Sequence, residues 1–372
     1  MAGDDYYKAL EFGERALEVA RQYDLKEQIA FTLQDLSCAY AAVGKFPEAK
    51  VSLDGAHTYW CSIDNRTILA DNIYNAVEVF YAQGDFDRAI GLVQEGLEIS
   101  RSIGSVHLEA IGLAASVQFH MNSGHIGEAL EAIENGTEKL NEIVATGFVN
   151  AFFHAITFVI YVLASMSEQA ILEVSRATDI LDSTRKWRFR SPLALAYLEQ
   201  SRLHEAGETL QSFYEQPGFE SKRPLAYFGL LTSMTDLVKG ELLLAEGDYL
   251  RVSEYELKVH GLAEDLSGNL ILPDLLRMRG QALIGLDRTG EAKEALVKAR
   301  EIAEARGSRL TLWRVLYEMS RVAGIEDLQE DQEQLLRQCR ELIGYIADHC
   351  GRPEARDGFL NHSVVRKALA LD

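Results

Sequence analysis

Residues of the types that commonly act in catalysis or metal binding are scattered along this 372-residue chain. The nine histidines do not fall into metal-ligand spacing, and the chain contains no HExxH, GxxxxGK[ST], GxGxxG or GxSxG motif. Those motifs would position a zinc-bound water, a phosphate group or a serine nucleophile. We therefore expect no catalytic residue, no metal site and no cofactor, and we predict that the chain is not an enzyme.

One short segment combines basic and aromatic side chains. Residues 185–190 read Arg-Lys-Trp-Arg-Phe-Arg, so Arg185, Lys186, Arg188 and Arg190 surround two rings. The preferred interpretation is a solvated loop or helix start that the rings anchor, and contact with an anion is the second choice. Stacking on nucleic acid is conceivable, but a single cluster is weak support for it.

The overall charge limits the class of partner. Asp and Glu total 57 against 37 Lys and Arg, which gives a formal charge of −20. A chain this acidic repels nucleic acid and anionic membranes at long range. We therefore expect a basic or neutral partner and neither nucleic acid nor membrane, although the charge also has a simpler explanation in solubility.

Cysteine usage and the first residues indicate a reducing compartment. Cys38, Cys61, Cys339 and Cys350 form no C-x-x-C pair and no disulfide-like pattern. The first ten residues are acidic and lack the apolar stretch of a signal peptide. We therefore predict a cytoplasmic location.

The main signal in the chain is an internal repeat. The segment Gly44-Lys-Phe46-Pro-Glu-Ala49 recurs in stronger and weaker copies, most of them about 40 residues apart. Periods of this length are typical of repeat architectures. The small residues that close the copies are Ala49, Ala89, Ala129, Ala170, Ala206, Val252 and Ala292.

Each copy of the motif lies between two helical patterns. Leu33, Leu36 and Tyr40 share one helix face, Gly44 lets the chain leave that helix, and Pro47 suits the first turn of the next one. The pattern predicts an all-α chain built from helix pairs.

These residues resemble the tetratricopeptide repeat. Leu33, Leu36, Tyr40, Gly44 and the residues up to Ala56 fall in the slots of that family. The family prefers Gly where Ser37 stands and Trp where Leu33 stands. The resemblance implies a right-handed α-solenoid of about eight antiparallel helix pairs.

The period of about 40 residues is longer than the family norm of about 34. This variant resembles the repeat regions of bacterial regulators of the maltose-operon activator type. It also resembles the tails of bacterial proteins that join a cyclase or kinase to an ATPase.

The repeat sets the expected organisation of the chain. Residues 1–324 are predicted to form the array, with a possible hinge near 216–224, and residues 325–372 to form C-terminal capping helices. Lys8 to Tyr23 match the second helix of a repeat that lacks its first helix. Either a capping helix or excision from a longer protein would explain that pattern.

Three further features are interpreted through the repeat. Phe148 to Met166 carry no charge, but polar residues interrupt the stretch and it falls in register with the repeat, so we reject a membrane span. His120 and His154 occupy slots that apolar residues fill in other copies, and we predict that both are core residues, with a pocket group as the second interpretation of His154.

In the tetratricopeptide family the first helix of each repeat lines the concave surface, and the register then gives the inner-facing positions. Tyr74, Glu78 and Tyr81 are spaced to share one helix face, which suits a peptide with a basic residue or a small polar ligand. The full set is Gln34, Asp71, Tyr74, Glu78, Tyr81, Gln118, Asn122, Phe152, Glu199, Glu241 and Arg277. An ordinary solvated groove is the alternative interpretation.

Two functions remain open on these grounds. The first is a non-catalytic scaffold that binds a peptide or a partner domain on its concave face. The second is a sensor or effector-binding module cut from a multidomain bacterial signalling or transcription regulator.

Overall fold

A computed structural model describes residues 6–141, 147–164, 166–180, 190–214, 229–254 and 271–370. Every regular element within these ranges is helical. The helices are α1 Tyr6–Gln22, α2 Lys26–Ala42, α3 Phe46–Ser62, α4 Arg66–Gln83, α5 Phe86–Ser102, α6 Val106–Asn122, α7 Ile126–Asn141, α8 Gly147–Leu163, α9 Ser167–Ile180, α10 Arg190–Glu199, α11 Leu203–Tyr214, α12 Gly229–Ala245, α13 Leu272–Gly285, α14 Thr289–Ala305, α15 Arg309–Ile325, α16 Gln329–Asp348, α17 Pro353–Asn361 and α18 Ser363–Leu369. Residues 249–254 are also helical.

The helices form consecutive antiparallel pairs, which we number as repeats 1 to 8. Repeat 1 is α2 with α3, and the series continues through α4 with α5 to α15 with α16; in repeat 6 the helical residues 249–254 follow α12. This arrangement confirms the predicted all-α fold of helix pairs.

Tight turns between the helices depend on residues that tolerate a left-handed backbone. Gly44, Gly84 and Gly124 have φ values of 80°, 83° and 80° at the turns within repeats 1, 2 and 3. Glycine adopts this region without the steric cost that a Cβ atom imposes. The motif glycines therefore set the short turn that folds each second helix back on its first.

The two kinds of helix occupy different positions in the array. Each first helix from α2 to α15 contacts the next first helix, whereas successive second helices make no comparable contact within the described residues. Helices on the inside of a curved stack approach one another more closely than those on the outside. The first helices therefore line the inner face.

The start of the array exposes apolar surface. Leu10 and Leu17 of α1 are buried against Leu36 of α2. On the remaining surface of α1, Tyr7 and Phe12 are exposed. α1 thus packs against α2 on one side, and part of its apolar surface is exposed.

The C-terminal helices return to the middle of the array. Ile126 and Leu130 of α7 belong to one continuous buried cluster with Trp313 of α15, Ile346 of α16 and Phe359 of α17. A linear repeat stack buries its apolar surface only between neighbouring repeats. Here repeat 3 also contacts repeat 8, so the array closes on itself.

Polar contacts reinforce this closure. The Gly127 amide donates to the His349 carbonyl oxygen at 2.8 Å. The Arg309 guanidinium donates to the Ser123 carbonyl oxygen at 3.1 Å. Because these contacts join residues far apart in sequence, they define a surface that the repeat pattern alone does not predict.

The predicted division of the chain stays a prediction. Residues 216–224, the expected hinge, lie outside the described residues. The helices α15 and α16 pair as the earlier repeats do, and α17 and α18 follow as short helices. No described helix is long and apolar enough to cross a membrane.

Candidate functional site

The inner face carries a series of polar contacts between successive first helices. The Gln34 amide donates to Asp71 at 2.5 Å, and the Cys38 thiol donates to the Asn75 carbonyl at 3.5 Å. The Thr311 hydroxyl donates to Asp274 at 3.0 Å near the other end. Each of these pairs joins residues 37 apart, so the repeat places equivalent inner-face groups next to each other.

Three carboxyl groups dominate the inner face of repeats 1 and 2. Asp35 on α2 and Asp71 and Glu78 on α4 have no ion pair with any described residue, and Glu78 has no hydrogen bond there either. Burial raises the pKa of Glu78 to about 8. We call these three residues the acidic group, and no described residue forms an ion pair with it.

The carboxyl groups of the acidic group also act on the neighbouring Cys38 thiol. Burial is the main cause that raises its pKa to about 12, the Ser37 hydroxyl opposes the shift, and Glu78, Asp35 and Asp71 add to it. A thiol with so high a pKa is not a reactive nucleophile. Cys38 is therefore an unreactive polar residue that borders the acidic group.

Tyr74 does not line the inner face as the register predicts. It is 5% exposed, and its hydroxyl lies 3.1 Å from the Ser100 hydroxyl of α5. A Cβ atom on Gly96 would come within 2.5 Å of its ring, and one on Gly112 would meet its hydroxyl. The two glycines thus form a slot for Tyr74 between repeats 2 and 3.

Tyr81 is also a core residue rather than a groove residue. Its ring centroid lies 5.1 Å from Phe86 and 5.2 Å from Phe119, and 7% of its surface is exposed. Burial, with the nearby Glu78, raises its pKa. Of the three residues predicted to share the inner face of α4, only Glu78 is accessible.

Gln34, Gln118 and Asn122 have different surroundings. Gln34 is buried, and its amide oxygen accepts from the Trp60 indole at 3.1 Å while its nitrogen bonds Asp71. Gln118 is half-buried and makes no hydrogen bond with a described residue. Asn122 donates to the Arg306 carbonyl oxygen at 3.3 Å. Gln118 alone keeps its amide group free for a ligand.

Glu241 and Arg277 neutralise each other on the inner face of repeats 6 and 7. Arg277 is 5% exposed, pairs with Glu241 and lies 3.9 Å from Asp274. Burial opposes the charged form of Arg277, but Glu241, Asp274 and Glu318 outweigh it and raise the pKa of Arg277. These groups form a compensated network, unlike the acidic group in repeats 1 and 2.

Glu199 at the end of α10 holds the C-terminal segment. Its carboxylate lies 2.7 Å from the His362 ring nitrogen. Burial would raise the pKa of Glu199, yet the hydrogen bond and charge of His362 lower it below its ordinary value. Glu199 is therefore engaged within the chain.

No family model and no curated protein sequence matches the chain. Solved structures do match it. A Rap protein complexed with Competence and Sporulation Factor has 12% sequence identity and a TM-score of 0.56, over 93% of this chain and 98% of that chain. The chain has the tetratricopeptide-type solenoid fold.

Two further solved structures are less similar in shape. Aspartyl phosphate phosphatase F from Bacillus subtilis has 14% identity and a TM-score of 0.48, over 92% of this chain and 94% of that chain. Yeast Tom70 has 13% identity and a TM-score of 0.41, over 99% of this chain and 86% of that chain.

Most of the basic cluster lies outside the described part of this tetratricopeptide-type array. Arg185, Lys186 and Arg188 fall in residues 181–189, and only Arg190 is described. Arg190 donates to the Ser212 carbonyl oxygen of α11. The Phe152 side chain is likewise outside the described side chains.

His120 and His154, which the sequence predicts to be core residues, instead form polar contacts with carboxylates. His120 has a third of its side chain exposed and lies 3.0 Å from Glu128. Burial lowers the pKa of His120, although Glu128 opposes that shift. His154 lies 2.7 Å from the buried Glu173. Each position is apolar in other repeats, but here a nearby carboxylate satisfies a ring nitrogen.

His120 also belongs to a cluster that the sequence analysis missed. Its ring, the His125 ring and the Glu128 carboxylate each offer one ligand atom, and these three atoms lie within 4.8 Å of one another. The detectable signal is two histidines and a glutamate within nine residues across a predicted helix–turn–helix. No regular spacing on a single helix reveals it.

Proposed function

We propose that the chain is a non-catalytic interaction scaffold. It binds a peptide, or an extended segment of a partner protein, along the first helices of repeats 1 to 3. The segment carries a basic residue that pairs with the acidic group of Asp35, Asp71 and Glu78. Asn75 and Gln118 supply polar side chains beside it.

The observation that carries this proposal is the contrast between the two ends of the inner face. In repeats 6 and 7, Arg277 compensates Glu241. In repeats 1 and 2, the three carboxyl groups form no ion pair with a described residue. Bringing a cation to them removes like-charge repulsion and restores the charged form of Glu78, which burial disfavours.

The shape of the surface also favours a peptide. Curved helical repeats present an extended concave face, on which each repeat contributes a small contact area. The solved Rap protein of the same fold is complexed with Competence and Sporulation Factor. We extend a binding role to this chain on the basis of its own acidic group.

Selection of random displayed peptides on the full chain tests the proposal. We expect enrichment of Lys and Arg, and we expect the selected peptides to bind Glu78→Gln at least about tenfold more weakly. Glu294→Gln changes an exposed carboxyl of α14 and is the matched control. Peptides without basic enrichment, or equal binding by both variants, would refute the assignment.

A second candidate is a sensor or effector-binding module of a bacterial regulator, of the maltose-operon activator or cyclase/kinase–ATPase type. The closure between repeats 3 and 8 favours it, because a ligand that opens or tightens that contact would change the shape of the chain. Screening sugars and nucleotides by thermal shift tests it. A stabilising ligand supports this candidate, and the absence of any shift counts against it.

A further inference from the structure

We infer that the turn between α6 and α7 is a binding site for a divalent transition-metal ion of the zinc class. Its ligands are one ring nitrogen each of His120 and His125 and one carboxylate oxygen of Glu128. This inference is independent of the proposed peptide binding, because none of these three residues belongs to the acidic group.

The local backbone brings the three side chains together. His120 lies in the last turn of α6, His125 directly precedes α7, and Glu128 lies in its first turn. Gly124 between them has a φ of 80°, which lets the chain reverse within a few residues. The ligands therefore come from the rigid ends of two packed helices.

The distances are close to those of a metal site. His120 Nδ1 and His125 Nδ1 lie 3.0 and 2.9 Å from the same Glu128 oxygen, Oε2. Ligands about 2.0–2.1 Å from a tetrahedral zinc ion are about 3.3 Å apart. Small side-chain rotations would open that space.

The ligand types match this class of ion. Two imidazole nitrogens and one carboxylate oxygen suit zinc and similar ions, whereas magnesium and calcium prefer oxygen ligands. Three protein ligands leave a fourth position for water. Half of the Glu128 side chain is exposed, so the position is open to solvent.

The metal takes the place of hydrogen-bonded protons. In its absence, the Nδ1–H groups donate to Glu128. On binding, each neutral ring moves its proton from Nδ1 to Nε2 by exchange with solvent, with no net proton release, and coordinates through Nδ1. No electron transfer is involved, and the ion replaces the two donated hydrogen bonds.

A residue from the returning C-terminal helix supports the site. His125 Nε2 lies 2.7 Å from the Tyr345 hydroxyl of α16. When the metal occupies Nδ1, Nε2–H donates to that hydroxyl, and such an outer hydrogen bond orients a metal-bound histidine. The His349 ring stacks on both His125 and Tyr345, with centroid distances of 4.9 and 4.1 Å.

The site therefore links metal binding at this turn to the closure between repeats 3 and 8. Tyr345 also lies under the Arg309 guanidinium, 4.5 Å from the ring centroid, and Arg309 donates to the Ser123 carbonyl oxygen. A bound ion fixes His125 in the orientation that contacts Tyr345. It thereby strengthens the closure between repeats 3 and 8.

Titration of the full, chelator-treated chain with Zn²⁺ tests the inference by calorimetry. We expect one ion per chain, and we expect Co²⁺ to give the absorption bands of a tetrahedral site. Magnesium and calcium should not compete. His120→Ala should weaken zinc binding beyond the roughly 100-fold that loss of an outer partner causes, and Tyr345→Phe should weaken it about tenfold.

A matched control separates this site from ordinary histidine–carboxylate pairs. His204 lies 3.5 Å from Glu208 on the exposed face of α11, so His204→Ala removes a comparable surface pair. It should leave zinc binding unchanged. Circular dichroism checks that each variant is folded. Absence of one-to-one binding, or equal losses in His120→Ala and His204→Ala, would overturn the inference.

Discussion

Gly127 and Gly351 pack backbone to backbone where the C-terminal helices meet the middle of the array. A Cβ atom built on Gly127 would lie 2.7 Å from the Gly351 Cα atom and 2.8 Å from its amide nitrogen. Backbone atoms cannot rotate away as the end of a side chain can. This contact makes the closure between repeats 3 and 8 sensitive to a single methyl group.

Gly127→Ala should therefore loosen the closure. Overpacking of this kind costs about 1–3 kcal/mol, and the loss should appear as a lower unfolding midpoint in urea. Hydrogen exchange should also rise in α16 and α17, since their contact with α7 is disturbed.

Gly91→Ala is the matched control. Gly91 lies within α5, and no atom would approach its new Cβ within 4 Å. Alanine favours a helix over glycine by about 0.5–1 kcal/mol, so this variant should be slightly stabilised. A similar stabilisation of Gly127→Ala would contradict the close contact.

Gln34 joins two elements, and its replacement tests the polar contacts of the inner face. Gln34→Leu leaves the buried Trp60 indole N–H without its acceptor. An unsatisfied buried donor costs about 1–3 kcal/mol. Chemical denaturation should show that loss, whereas Gln118→Leu should change stability by less than about 0.5 kcal/mol. Equal effects would argue against a structural role for Gln34.

Glu78 predicts a particular dependence of stability on pH. Burial raises the pKa of Glu78 from 4.5 in its ordinary state to about 8 in the folded chain. Between those values the unfolded chain has released the proton and the folded chain retains it. Its contribution to the free energy of unfolding therefore falls as the pH rises, by up to about 1.4 kcal/mol per pH unit.

Urea denaturation of the wild type and of Glu78→Gln from pH 5 to pH 9 measures this term. The variant should lack this contribution, so the difference in the free energy of unfolding between the two proteins should grow up to pH 8 and then level off. Glu294→Gln should follow the wild type. Parallel curves for wild type and Glu78→Gln would show that Glu78 titrates normally.

His362 should hold the last helix in place through Glu199. His362→Ala removes the 2.7 Å contact, and hydrogen bonds to charged groups contribute about 1.5–3 kcal/mol. Amide exchange in α18 should then accelerate about tenfold or more. His57→Ala, an exposed change in α3, should not affect α18.

The contact between Glu199 and His362 also predicts how the protection of α18 depends on pH. Because the pKa of Glu199 is lowered in the folded chain, its contribution is present above about pH 4.5 and is lost as the pH falls through the folded value. Protection of α18 should therefore decrease in acid before that of α2. Unchanged protection in both conditions would refute the link.

The sequence predicts the helices well because the repeat is a local pattern. Gly44, Pro47 and Ala49 specify a turn and a helix start, and the structure has α2 end at Ala42 and α3 begin at Phe46. The apolar spacing of each helix needs no information from distant residues. Hence the pairing of helices follows directly from the repeat.

The inner face is harder to predict because it depends on rotation around each helix. At 100° per residue, Asn75 and Glu78 lie within about 40° of Asp71 around α4. Tyr74 and Tyr81 lie about 60° and 80° away, on the side that packs against the next repeat. A small error in register therefore exchanges a ligand-facing residue for a core residue.

The closure between repeats 3 and 8 cannot be predicted from a local sequence pattern. His125 and Tyr345 are 220 residues apart, and their contact depends on the summed rotation of all the repeats between them. Small deviations in each pair accumulate along the array. Glycine at 127 and 351 is compatible with such a contact, but neither position differs locally from an ordinary helix or turn residue.

The contact between His125 and Tyr345 also changes how the chain would respond to mechanical force. An open stack of helix pairs extends like a spring, and each pair yields on its own. Here the segment between positions 125 and 345 is enclosed in a loop and is shielded from tension applied at the two ends. Pulling would first load the closing contacts, and only after their rupture would repeats 4 to 7 begin to extend.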